Sequence, residues 1–330
     1  MSIATARSVQ VVDSHTAGHP TRVIAGGLPP LQGASVKARR DDFRERYDWL
    51  RPMLLHEPRG HAAMVGAILT ESTAAEFGVF YISSYIYLDM CGHGTIGLAK
   101  TLVALGLVDI SAGSHTISLE TPAGIVGVEI LAEGGRVTGV RIANVPCYVV
   151  ERDVRVEVPG LKPVRLDIAY GGGYFGIVDA TALGWAIRPD QTLELCRCAT
   201  DIKAAVNAAA PPDLGRKERV ASILLYEDLG PASARNLVVL DRHKFDRSPC
   251  GTGTSARLAL LHAQGRIAEG QPFRAEGVLG THFECRIDRV STSSEGPCIH
   301  PSILGNAHIT AFSTLIVEEG DPLAAGFLCR

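Results

Sequence analysis

Residues 90–99 read Met90-Cys91-Gly92-His93-Gly94-Thr95-Ile96-Gly97-Leu98-Ala99, and residues 249–259 read Pro249-Cys250-Gly251-Thr252-Gly253-Thr254-Ser255-Ala256-Arg257-Leu258-Ala259. Both contain Cys-Gly-x-Gly-Thr and then a helical spacing of apolar residues. These are Ile96, Leu98 and Leu102 in one copy and Ala256, Leu258 and Leu260 in the other. The two cysteines are 159 positions apart in a chain of 330. Two related halves, each with this motif opening a helix, are the simplest account. A pseudo-twofold arrangement then sets the two helix starts face to face.

A helix start exposes unpaired N–H groups and the positive end of the helix dipole. A cysteine there is expected to have a stabilised thiolate and a lowered pKa. The flanking glycines let the backbone approach a ligand and offer N–H donors without side-chain bulk. A pocket of this kind suits a carboxylate. Two facing thiols also suit inversion of a carbon beside that carboxylate, because a proton leaves one face while another arrives at the opposite face. The N–H donors then stabilise the enediolate that forms in passing. A buried cysteine in a tight turn explains one copy of the motif as well as chemistry does, but it does not explain two. No Cys-x-x-Cys redox motif is present, and a Cys-His hydrolase leaves the duplication unexplained.

The remaining sequence narrows the class. A length of 330 residues favours two domains, and 46% hydrophobic with 20% charged residues is ordinary for a globular protein. A net charge of −3 leaves no basic field for nucleic acid or an anionic membrane. The one dense run, Lys37-Ala38-Arg39-Arg40-Asp41-Asp42, reads as the solvated start of a helix. No apolar stretch reaches the length that spans a bilayer, and the first residues lack a signal core. A cytoplasmic location is therefore expected. Eight cysteines in a chain of this length read as buried small hydrophobes, apart from the two in the repeat. Cys196-Arg197-Cys198 has the wrong spacing for a zinc knuckle.

Short β-branched runs predict strands at 9–12, 78–82, 116–119, 126–131, 137–142, 149–158, 176–178, 221–226, 236–240 and 307–317. Helical periodicity predicts helices at 41–50, 95–105, 192–208 and 254–263. Pro211-Pro212-Asp213-Leu214-Gly215 reads as a turn, and Gly171-Gly172-Gly173 as a sharp turn between strands. The latter has neither the Lys-Ser/Thr of a P-loop nor dinucleotide-site spacing. His15 and His19 have H-x-x-x-H spacing, but Gly18 and Pro20 predict a loop there and no metal is expected.

At these residues the chain resembles the proline racemase family, which includes 4-hydroxyproline 2-epimerases. The matching segments are Asp13-Ser14-His15-Thr16-Ala17-Gly18 with Pro20-Thr21-Arg22, Glu57-Pro58-Arg59-Gly60-His61, Met90-Cys91-Gly92-His93-Gly94, Thr121-Pro122-Ala123-Gly124 and 246–254 around Cys250. The resemblance implies an α/β (α+β) fold of two pseudo-symmetric halves of the diaminopimelate epimerase-like type, with the active site in the cleft between them. Residues 1–150, completed by 310–330, form the half carrying Cys91, and residues 151–309 the half carrying Cys250.

The resemblance further implies that Cys91 and Cys250 are the acid/base pair and that no cofactor, pyridoxal phosphate included, is used. By position, Gly92, His93, Gly251 and Thr252 surround the substrate carboxylate and Asp246 meets the ring nitrogen. The dehydratases of this family replace one cysteine with Ser or Thr, so the intact pair favours inversion. Where proline racemases line the ring pocket with phenylalanines, this chain has Val65, Tyr81 and Leu240, and Ser222 stands where a histidine is expected. Smaller residues leave room for a ring substituent, and Tyr81 adds a hydroxyl. The implied reaction is epimerisation of trans-4-hydroxy-L-proline. Its alternatives are proline racemisation, trans-3-hydroxy-L-proline dehydration and a non-catalytic binder of small molecules on the same fold. His19 stands where the epimerases carry Glu, and Ser83-Ser84-Tyr85-Ile86 replaces a Gly-containing approach to Cys91. His15 and His61 fall in matched segments as organisers of the pocket. A homodimer is a further expectation of the resemblance.

Overall fold

The computed structural model describes residues 5–211 and 218–329. The expected turn at 211–215 therefore lies, beyond Pro211, outside the described residues. The chain divides into two compact units, residues 1–142 with 305–330, and residues 143–304.

The first unit runs β1 (Thr5–Thr16), β2 (His19–Gly26), α1 (Val36–Tyr47), α2 (Leu50–Leu55), β3 (Val65–Thr70), β4 (Phe77–Ser83), β5 (Tyr87–Leu88), α3 (Gly92–Ala104), β6 (His115–Thr121), β7 (Gly124–Glu133) and β8 (Arg136–Ala143). The second runs β9 (Tyr148–Val156), β10 (Val164–Tyr170), β11 (Tyr174–Asp179), α4 (Thr192–Ala208), β12 (Ser222–Gly230), β13 (Ser233–Asp241), β14 (Lys244–Phe245), α5 (Gly251–Ala263), β15 (Phe273–Glu276), β16 (His282–Ser293) and β17 (Gly296–Gly305). The last strand, β18 (Ala307–Glu318), returns to the first unit.

The two units repeat one topology. In the first, β18 and β1, β1 and β2, β3 and β4, β6 and β7, and β7 and β8 pair antiparallel, whereas β2–β3 and β4–β6 are parallel. In the second, β9–β10, β10–β11, β12–β13, β15–β16 and β16–β17 are antiparallel, with β11–β12 and β13–β15 parallel. The order of senses is identical along both. Each short strand, β5 or β14, pairs back on the preceding strand just before the cysteine-headed helix. The duplication visible in ten residues of sequence thus extends over the whole strand order.

Those two helices are enclosed although they carry polar side chains such as Thr95, Thr101, Thr254 and Arg257. Helix α3 is buried from His93 through Ala99 and again at Thr101 and Leu102. In α5 the buried residues run from Gly251 to Leu261 with one exception, Thr252. Strands β1, β2, β3, β7 and β18 pack on α3. Strands β9, β10, β11 and β16 do the same for α5. On the other sheet face, α1 and α2 bury Val36, Phe43, Leu50, Met53, Leu54 and Leu55 with Phe80 and Ile82. Helix α4 buries Leu195, Cys196, Ala199, Ile202 and Val206 with Ile223 and Leu237.

Several expectations shift. The helix read over 41–50 is two helices, α1 beginning at Val36 and α2 at Leu50. Ser35 sets the earlier start, because its hydroxyl accepts from Ala38 N at 3.2 Å and caps α1. The loop read at Gly18-Pro20 is a two-residue hairpin turn, with Ala17 and Gly18 at φ 49° and 92° and Thr16 opposite His19. Gly171-Gly172-Gly173 does form the turn between β10 and β11. No helix among the described residues is long and apolar enough to cross a membrane.

Candidate active site

In the first unit, β5 delivers the chain to Cys91, which is the N-cap of α3 in an extended conformation. Its carbonyl accepts from both the N–H and the hydroxyl of Thr95, each at 2.8 Å. The sulfur is buried and lies 3.5 Å from Nδ1 and 3.6 Å from Nε2 of His93. His93 is held in turn: its carbonyl accepts from the Thr16 hydroxyl at 2.9 Å, and His19 meets its ring edge-on at 4.3 Å between centroids.

Gly94 makes this approach possible. A Cβ at Gly94 would stand 3.1 Å from the Cys91 sulfur and 3.0 Å from the Tyr81 ring. Tyr81 is fully buried, and its hydroxyl bonds that of Thr95 at 2.7 Å. Burial also drives the Tyr81 phenol well above its usual range, so it stays neutral. Val65 is buried on the neighbouring strand β3, and Gly92 is the first residue of α3.

In the second unit, Asp246 follows β14 and its Oδ1 accepts from Ser248 N at 2.9 Å and from the Ser248 hydroxyl at 2.7 Å. The same hydroxyl oxygen accepts from Cys250 N at 3.2 Å. This chain of bonds holds Cys250 at φ 63°, ψ 106°, where a non-glycine residue is strained by about 1–3 kcal/mol. The Cys250 sulfur is buried, 3.5 Å from the Thr252 hydroxyl. Asn236, buried on β13, donates to Thr254 Oγ1 at 3.2 Å, and the Thr254 hydroxyl donates to the Pro249 carbonyl at 3.0 Å. Leu240 packs half-buried on the apolar cluster that contains Cys250, and Ser222 is buried at the start of β12.

The expectation of two lowered thiol pKa values is overturned at Cys250. Burial, followed by the charge of Asp246, raises that thiol far above its ordinary range. Bonds from Thr252 and from Gly253 N pull the other way and are outweighed. The helix start is real, but desolvation dominates it.

Within the first unit, the structure brings together Cys91, Gly92, His93 and Tyr81. Within the second, it brings together Asp246, Cys250, Gly251 and Thr252. His15 has a local task, its Nδ1 accepting from Gly18 N at 3.3 Å in the hairpin, and His61 Nδ1 accepts from Ala63 N at 3.3 Å. Sequence reasoning missed Ser248, which links Asp246 to Cys250, and the pairing of His19 with His93. It also assigned no role to the fifth residue of the repeat. Thr95 and Thr254 each tie the cysteine-bearing turn to the sheet.

A model of the proline racemase family matches residues 11–328. Proline racemase of Clostridioides difficile is 35% identical over 98% of this chain and 99% of its own length. The 4-hydroxyproline 2-epimerase of Streptosporangium roseum is 38% identical, again over 98% and 99% of the two chains. Among solved structures, a hydroxyproline epimerase from Agrobacterium vitis with bound trans-4-hydroxy-L-proline superposes with a TM-score of 0.86 at 26% identity, covering 98% of this chain and 96% of that one. The class these define is an isomerase, an amino-acid racemase or epimerase. The chain belongs to the proline racemase family.

Proposed function

We propose that this chain inverts the α-carbon of trans-4-hydroxy-L-proline to give cis-4-hydroxy-D-proline, with Cys91 and Cys250 as the two acid/base groups. One observation carries the reading: a single topology, used twice, brings a buried cysteine to the head of an enclosed helix. One thiolate removes the Cα proton while the other thiol delivers a proton to the opposite face, and the roles exchange in the reverse direction. N–H groups of Gly92 and His93, and of Gly251 and Thr252, stabilise the carboxylate as it takes on enediolate character. Asp246, oriented by Ser248, accepts from the ring ammonium.

The substrate assignment draws support from the epimerase relative and from the neighbour crystallised with trans-4-hydroxy-L-proline. The aliphatic side chains of Val65 and Leu240 agree with it, since they occupy less space than the phenylalanines expected of a proline pocket. Proline itself is the second reading, supported by the racemase relative, which matches over the same length.

Proton NMR in D2O with trans-4-hydroxy-L-proline, L-proline and trans-3-hydroxy-L-proline, each offered separately, tests the assignment. Deuterium at Cα of the 4-hydroxy compound with appearance of its cis-D epimer is the expected result. Exchange with proline alone makes the chain a proline racemase, and loss of water from the 3-hydroxy compound makes it a dehydratase. No reaction with any of the three overturns the proposal.

A further inference from the structure

The triple-glycine turn at 171–173 has a task beyond reversing the chain. An added Cβ at Gly171 would lie 2.6 Å from Ala256 N, and closer still to Thr252 O. These two atoms are four residues apart in α5, the spacing of a helical hydrogen bond. The Gly171 backbone therefore lies against the helical hydrogen bond two residues on from the one that Thr254 N donates to Cys250 O. Gly171 is not in the left-handed region of φ, so its glycine is required by this contact and not by backbone conformation.

The turn is itself anchored. Gly171 N donates to Gly173 O at 3.0 Å, and Asn144 Nδ2 donates to Gly171 O at 2.9 Å. The Thr252 methyl rests against Gly172, where a Cβ would stand 3.1 Å away. In this way a fixed piece of backbone, tied to the segment before β9, abuts the turn that carries Cys250 and Thr252.

We infer that Gly171 is a positioning residue for Cys250: its bare backbone, clamped by Asn144, sets the height of the first turn of α5 and so where the Cys250 sulfur stands. The inference rests on the two-base reading above. A methyl at 171 has no room without separating Thr252 O from Ala256 N or pushing α5 away, and a shift of about 1 Å in a reacting group costs about a hundredfold in rate. The damage falls on one thiol only.

The test compares Gly171→Ala with Gly173→Ala, in the same turn, where a Cβ meets only the Phe175 ring at 3.5 Å. Both isomers of 4-hydroxyproline are followed in D2O for Cα exchange and for inversion. In Gly171→Ala, inversion is expected to fall about a hundredfold in both directions. Exchange without inversion persists for the one isomer whose Cα proton faces Cys91. Gly173→Ala should behave as wild type. Asn144→Ala, which removes the clamp without adding bulk, should show the same one-sided pattern more weakly, and it carries the test if Gly171→Ala does not fold. Equal loss of exchange from both isomers, or no difference between the two glycine variants, overturns the inference. Iodoacetamide labelling followed by peptide mass spectrometry gives a readout that needs no turnover. The ratio of Cys250 to Cys91 labelling should change in Gly171→Ala and not in Gly173→Ala. An unchanged ratio defeats the inference even if the wild-type chain acts on another substrate, whereas a wild type that inverts nothing defeats only the proposed reaction.

Discussion

The Cys91 sulfur lies 3.5 Å from Nδ1 of His93, two residues further along the same chain. Cys250, at the equivalent position of the repeat, has the Thr252 hydroxyl at that distance instead. The third residue of the motif thus gives the two thiols different partners. An imidazole beside a thiol can share or take its proton, whereas a hydroxyl can only donate to a thiolate or accept from a thiol.

His93→Ala, which removes the imidazole in contact with the Cys91 sulfur, is therefore expected to slow iodoacetamide labelling of Cys91 and to leave Cys250 labelling unchanged. Peptide mass spectrometry resolves the two sites. Equal labelling of Cys91 in the variant and the wild type removes the imidazole from any part in activating it.

At Cys250 the environment favours the neutral thiol. Burial and the Asp246 carboxylate both hold its proton on. Burial likewise raises Cys147 and Cys285, and pushes Cys196 up to about 11. For a group whose folded pKa is raised, the folded state binds the proton more tightly than the unfolded state. Its contribution is complete below the unfolded pKa of about 8.5 and is lost as pH rises toward the folded value. Stability should then fall on the alkaline side by up to about 1.4 kcal/mol per pH unit for each such thiol. Urea unfolding at a series of pH values from neutral to 11 measures this slope. Asp246→Asn, which removes the nearest charge, should bring Cys250 labelling to lower pH. A flat stability profile above pH 9 would falsify the assignment of buried neutral thiols.

How far the sequence could be read follows from what each residue shows of its surroundings. The repeat around Cys91 and Cys250 was legible because glycine, cysteine and threonine recur in fixed order; it predicted two related halves, while the fold class was implied by the resemblance to the proline racemase family. Strand β16 was missed although Phe283, Cys285 and Ile287 alternate with outward-facing Glu284, Arg286 and Asp288, a period-2 pattern that marks a strand. Strand β17 carries Pro297 and Pro301, which argue against a strand. Arg257 marks another limit. It occupies a fully buried position of α5, held by Asp228 at 2.7 Å and stacked on Tyr226, where the helical pattern alone predicts an apolar side chain. The Cys250 pKa was misread because a helix start is visible in sequence, while burial and the approach of Asp246 are tertiary facts.

Tyr81 separates two ideas about the ring pocket. From sequence its hydroxyl is a candidate reader of the 4-hydroxy group, but the structure bonds that hydroxyl to Thr95. Tyr81→Phe should accordingly cost about 1 kcal/mol of stability through the lost bond. The ratio of kcat/KM for 4-hydroxyproline over proline should stay where it is. A shift of that ratio toward proline would show that the hydroxyl reaches the substrate.

The two-base reading makes its most demanding statement about single-cysteine variants. Cys91→Ser and Cys250→Ser each replace a thiol by a hydroxyl too weakly acidic to carry a proton at neutral pH. Inversion needs one group on each face, so both variants should lose it by at least about a thousandfold. Exchange is different, because one competent thiolate can remove a proton, trade it with D2O and return a deuteron to the same face. Each variant should therefore label only the isomer whose proton faces its remaining cysteine, and the two variants should label opposite isomers. The measurement is Cα deuterium uptake by each isomer, followed separately by NMR. Labelling of the same isomer by both variants would mean that one residue serves both faces, and full inversion by either would remove its cysteine from the reaction. A stability cost common to both substitutions cannot produce complementary patterns, so this outcome reports on chemistry and not on folding.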